Sequence, residues 1–149
     1  VGREGAVRIE GFEREPSNAV ALELGGRVER ALLHPGGDLL LVAFANESLG
    51  LWSLASRAVV RELEPREAPD RASFGALAID AEHGLCAAAS RDGLLLVHEI
   101  ESGAQLRKWR VSDRIVPSIA FVGPDLLCAQ IDGQISAWDN PDFVAAVKA

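Results

Sequence analysis

Three histidines and two cysteines are the residues of this 149-residue chain best suited to chemistry, and their spacing argues against it. His34 and His83 each stand in a turn, followed closely by Pro35 and Gly84. A general base needs an oriented partner and a cleft, whereas a turn histidine of this kind is expected to be solvated. His83 and Cys86 are close in sequence but lie on opposite sides of a turn. A structural zinc site needs four ligands at short paired spacings. Cys86 and Cys128 both occur in "LCA", which reads as matching places in two successive strands, each filled by a small buried thiol. There is no glycine-rich phosphate loop, nucleophile elbow or His-Glu zinc motif. The expectation is no catalytic residue, no metal and no cofactor.

Binding chemistry has two candidate stretches. "EPREAPDRASF" (64–74) is dense in charge and Pro and carries Arg66, Asp70 and Arg71. It reads either as a solvated connection or as a partner-binding loop, since binding residues gather on loops held by rigid scaffolds. "RKWRVSDR" (107–114) sets Trp109 among Arg107, Lys108, Arg110 and Arg114. Arg and Trp are enriched at interface hot spots, while the plainer reading is a ring capping a strand edge among solvated cations. The net charge of −7 argues against a nucleic-acid partner.

The elements that must position these residues repeat. "DGLLLVHEI" (92–100) matches "NESLGLWSL" (46–54), "DGQISAWDN" (132–140) and "EGAVRIEGF" (4–12). Starts at 4, 46, 92 and 132 give a period of about 40–46 residues, the mark of stacked supersecondary units. Each copy opens on a polar turn residue and places Trp52, His98, Trp138 or Glu10 six positions later. A first strand, a turn rich in Gly, Pro, Asp or His and a very apolar second strand precede each of the last three copies. A more charged strand follows: "AVALEL" (19–24), "AVVREL" (58–63), "QLRKW" (105–109) and "FVAAVKA" (143–149). One unit is therefore four short antiparallel strands, with the second strand buried on both faces and the fourth at an exposed edge. An apolar content of 48% suits a folded domain. Two cysteines and no visible leader suggest an intracellular protein, cytoplasmic or nuclear, and no run is long enough to span a membrane.

The unit resembles the blade of the WD-repeat β-propeller family, on "ALLHPGGDLLLVAF…LGLWSL", "SRDGLLLVHEI" and the Trp138-Asp139 pair of "DGQISAWDN". The resemblance implies an all-β fold of three full units, about 27–63, 75–109 and 115–149, after half of a preceding one, 5–24. The family often links a His, a Ser, a turn Asp and the Trp by hydrogen bonds. Here only Ser90 and Asp92 keep that pair, His98 stands at the Trp site, and the Gly-His dipeptide is absent. Asn46 and Asp132 are expected to brace equivalent turns, and Trp52 and Trp138 to pack between units. Propellers close with 4–8 blades, so the expected partners are other protein subunits or further blades of a longer chain. A start at Val1 fits a processed or excised piece. The expected function is a non-catalytic protein-interaction scaffold or structural subunit of a larger assembly. The alternative is a propeller enzyme or a small-ligand or phosphoinositide binder.

Overall fold

The computed structural model describes residues 6–9, 20–46, 48–64, 73–123 and 125–139, and the described residues form an all-β stack. Two strands, β1 (Ala6–Ile9) and β2 (Val20–Glu23), pair antiparallel. Next comes a sheet of β3 (Val28–Leu33), β4 (Leu39–Phe44), β5 (Leu49–Ser53) and β6 (Ala58–Glu64), paired in chain order. The following sheet contains β7 (Phe74–Asp80), β8 (Leu85–Ser90), β9 (Leu94–Glu99) and β10 (Gln105–Arg110), again in chain order. A third contains β11 (Ser118–Val122), β12 (Asp125–Ala129) and β13 (Ile135–Asp139). The expected strands at 143–149, and the residues Arg66, Asp70 and Arg71, lie outside the described residues.

Residue type accounts for the strand order. β4 is apolar throughout and β8 up to its last residue, Ser90, and both are buried on both faces; β8 lies between the first four-stranded sheet and the third sheet. β12 departs from the expectation of a doubly buried second strand: only Leu126 and Cys128 are fully buried, in strict alternation. Its other face has no sheet against it among the described residues. β10 is mostly exposed, as suits its place at the end of its sheet.

Three apolar layers hold the stack together. Leu24, Val28, Leu40, Val42 and Phe44 form the layer in front of the first four-stranded sheet. Leu41, Leu49, Leu51 and Leu63 of that sheet pack on Phe74, Cys86, Ala88 and Leu96 of the next. Ala76, Ala78, Ala87 and Ala89 then receive Ile119, Leu126 and Cys128 of the third. Such layers stabilise by the apolar area they remove from water.

The register corrects one sequence reading. Cys86 pairs with His98, as Leu40 pairs with Trp52 and Leu126 with Trp138. Leu126 is therefore the counterpart of Cys86, while Cys128 matches Ala88 two residues further on. The repeated "LCA" suggested equivalence because a slip of two residues preserves the face on which a side chain points.

Candidate functional site

The turn between β8 and β9 is densely hydrogen-bonded. Ser90 is fully buried and donates its hydroxyl to Asp92 Oδ1, while Ser90 Oγ accepts from the Leu94 N–H at 3.0 Å. Arg110, on the neighbouring β10, donates to the Asp92 backbone oxygen and, at 3.3 Å, to Asp92 Oδ2. Partial burial works to raise the Asp92 pKa. The hydrogen bonds from Ser90 and Arg110 and the Arg110 charge outweigh it, so the carboxyl is held below its ordinary value. Gly93, at φ +89°, lies beneath the segment that leads to the third sheet. A Cβ there would come within 2.0 Å of the Ser112 backbone oxygen.

The equivalent turns are simpler. Asn46 Oδ1 accepts from the Ser48 hydroxyl at 2.8 Å, and Asp132 Oδ1 from the Gln134 N–H at 3.0 Å. Gln130, at the Ser90 position, donates through Nε2 to the Ser136 hydroxyl at 3.0 Å.

The turn histidines differ from the expectation of plain solvation, because each clasps its own turn. The Gly36 N–H donates to His34 Nδ1 at 2.9 Å. His83 Nδ1 lies 2.8 Å from Asp80 Oδ2, and the His83 backbone N–H donates to Asp80 Oδ1 at 3.2 Å. These bonds fix short loops.

Sequence reasoning missed the contacts that bridge first strands. β3 and β7 are each bulged near their start, at the equivalent residues Glu29 and Gly75. A bulge frees a residue from the ladder and re-aims its groups. Glu29 consequently accepts from Arg91 of the next sheet at 2.7 Å, and the Gly75 carbonyl accepts from Arg30 Nε at 2.9 Å. A shallow groove of about 270 Å³ lies between these strands and β11, with Arg30 as its one charged lining residue. Bulges leave no compositional mark other than a small residue such as Gly75, so only the strand register reveals these bonds.

The 107–114 stretch separates into distinct roles. Trp109 meets Trp138 of the third sheet edge-on, with ring centroids 5.5 Å apart and planes at 76°. Arg107 lies over the Trp109 ring at 4.6 Å, a cation–π arrangement. Arg110 reaches back to Asp92, while Lys108 and Arg114 are exposed. His98 is fully buried at the Trp site, between the first two four-stranded sheets. Trp52 is half-buried beside the layer of Leu40, Val42 and Phe44.

The two thiols lie inside. Burial pushes the Cys86 pKa up to about 12 and also raises that of Cys128. Among the described residues no three His, Cys, Asp or Glu side chains converge as metal ligands, and no helix is long and apolar enough to cross a membrane.

No protein-family model matches the chain, and no curated protein matches its sequence. Its architecture does have counterparts. The crystal structure of Saccharomyces cerevisiae Sqt1 is 15% identical with a TM-score of 0.69, over 79% of this chain and 33% of that one. A chain of the Mitotic Checkpoint Complex is 19% identical with a TM-score of 0.69, over 83% and 38%. The Cps50 (Swd1) β-propeller domain of Myceliophteria thermophila is 15% identical with a TM-score of 0.67, over 78% and 36%. The chain thus spans about a third of the length of these natural structures. Identities this low establish architecture and leave function to the site itself. With its sheets paired in chain order and stacked face to face, the chain has the fold of part of a β-propeller.

Proposed function

We propose that the chain is a non-catalytic platform for protein–protein contact within a larger intracellular assembly. One observation carries this reading. The titratable groups of the turns are drawn into clasps that stiffen the stack, while β10 and the segment after it present exposed Arg107, Lys108 and Arg114 around the half-buried Trp109. A rigid ring flanked by cations favours a protein surface that offers carboxylates, and pre-organisation lowers the entropic cost of binding it. Sqt1 and a chain of the Mitotic Checkpoint Complex share this architecture, and the latter is part of a protein complex. Arg66, Asp70 and Arg71 belong to the same proposal as a second contact loop.

The test is the double substitution Lys108→Glu with Arg114→Glu. Both side chains are exposed, so the melting temperature should hold. Quantitative affinity purification from the source cells should then show a defined subset of partners reduced about tenfold or more. An unchanged partner profile with an unchanged melt would overturn the reading.

A further inference from the structure

The stretch that ends β10 and leads to β11 gathers cations around one hydroxyl. Ser112 has Arg110 two residues before it and Arg114 two residues after it, with Arg107 and Lys108 just upstream. No other serine of the chain has an arginine on both sides at that distance, and the chain contains no threonine or tyrosine. Other hydroxyls are set in different surroundings. Ser48 and Ser90 are buried, and Ser102 donates to Glu99 with Glu101 beside it.

The fold leaves this segment open and holds it in place. Residues 111–117 form no strand, and Lys108, Arg110, Asp113 and Arg114 are exposed around the half-buried Ser112. Two anchors bound the segment. The Val111 N–H donates to the Gly93 carbonyl at 2.9 Å, and Val116 is 1% exposed. Between them Ser112 Oγ accepts from the Arg114 N–H at 3.1 Å. The Ser112 backbone lies over Gly93, and Arg110 donates to the Asp92 backbone oxygen, so both residues meet adjoining positions of one turn.

A serine between guanidinium groups on an irregular surface segment suits a kinase with an acidic substrate groove, since kinases select substrates by charge pattern. We propose that Ser112 is a phosphorylation site for a basophilic serine kinase, and that the phosphate switches off partner contact at the Trp109 surface. In the step itself the γ-phosphoryl group of ATP passes to Ser112 Oγ. A new P–Oγ bond forms, the bond to the bridging oxygen of the departing ADP breaks, and the kinase's own base takes the hydroxyl proton. The product carries a charge of about −1.5 to −2 at pH 7. That charge offsets about half or more of the positive excess that Arg107, Lys108, Arg110 and Arg114 hold over Asp113. A partner surface rich in carboxylates then loses its attraction to the segment. Arg110 is drawn toward the phosphate as well, because it reaches Asp92 Oδ2 at only 3.3 Å and charged phosphate oxygens are the stronger acceptors. The switch rests on the scaffold reading above, whereas the modification site does not.

The test uses the full chain. Incubated with ATP and a panel of basophilic serine kinases, the native chain should take a phosphoryl group that fragment mass spectrometry maps to Ser112 and that Ser112→Ala lacks. An acidophilic kinase should leave Ser112 unmodified. A synthetic peptide of residues 107–117 reports what the same kinases do without the fold. A peptide that is modified while the native chain is refused overturns the site, because the two anchors then hold the hydroxyl out of reach. A peptide refused by the whole panel overturns it as well. The switch is read on chain phosphorylated at Ser112. The partner subset depleted by Lys108→Glu with Arg114→Glu should fall about tenfold, and the NMR titration midpoint of the Asp92 carboxyl should rise as Arg110 turns away. A full partner subset on the phosphorylated chain overturns the switch and leaves the scaffold reading standing. A subset that the double substitution also leaves intact overturns the scaffold reading, while the mapped phosphate and the Asp92 midpoint still decide the site.

Discussion

The Ser90, Asp92 and Arg110 clasp depends on pH at the level of a single carboxylate. Because folding holds Asp92 below its ordinary value, the contribution of the clasp is complete above about pH 4 and declines as the pH falls through the folded pKa. The carboxylate is 38% exposed, so the effect is small. Asp92→Asn should lower the melting temperature by a few degrees at pH 7, with the gap to the parent narrowing as the pH falls below about 4. A gap of constant size across that range would show that the charge is irrelevant. Gly93 and Gly133 form a cleaner pair, with φ of 89° and 90° at equivalent turns. Gly133 has open space around it, whereas Gly93 lies under the Ser112 backbone. Gly133→Ala should cost about 1 kcal/mol, from backbone strain alone, and Gly93→Ala about 2–4 kcal/mol in urea unfolding. Equal losses would mean that the 112–114 segment lifts away freely. The turn residues Asn46, Asp92 and Asp132 were legible in the sequence because a short polar side chain before a strand has one common use. The reach of Arg110 to Asp92 was not, since it joins residues 18 apart whose proximity depends on the pairing of β9 with β10.

Strands were more legible than side-chain partners. Apolar content and turn chemistry located the strands of the first two four-stranded sheets, because each strand is short and bounded by Gly, Pro or Asp. What pattern alone could not supply was register, and the two cysteines show why: a two-residue slip leaves every apolar position apolar. Both thiols sit on second strands deep in the stack. Neither should react with iodoacetamide at pH 8 in the native protein, and both should react once urea opens it. Early labelling of one thiol would expose the weaker junction. Trp138 joins the second junction through its edge-on contact with Trp109. Both rings are only half-buried, so Trp138→Ala should cost about 2–4 kcal/mol, at or below the range for fully buried aromatics. A loss below about 1 kcal/mol would place the ring outside the core.

Among the described residues each sheet packs its apolar layers on its neighbours, so stability is graded from one sheet to the next. The second sheet has apolar layers on both faces and the third on one. Amide exchange should therefore be slowest in β8 and faster in β11–β13, where an open face permits local unfolding. Uniform exchange across the three sheets would point to a single cooperative block. The periodicity announced a stack of this kind. It did not announce which side chains meet at each junction, which emerges only when faces are assigned: Leu41, Leu49 and Leu51 lie against Phe74, Cys86, Ala88 and Leu96 at the first, and Ala76, Ala78, Ala87 and Ala89, with Leu95 and Val97, against Ile119, Leu126 and Cys128 at the second. That matching has a genealogical consequence. Units descended from a common repeat would once have been interchangeable, but each face now carries side chains fitted to one neighbour. Exchanging the second and third units by recombination would set Leu41, Leu49 and Leu51 against Leu126 where Cys86 now sits. The order of the repeats is thus written into their side-chain volumes as well as into the chain that joins them.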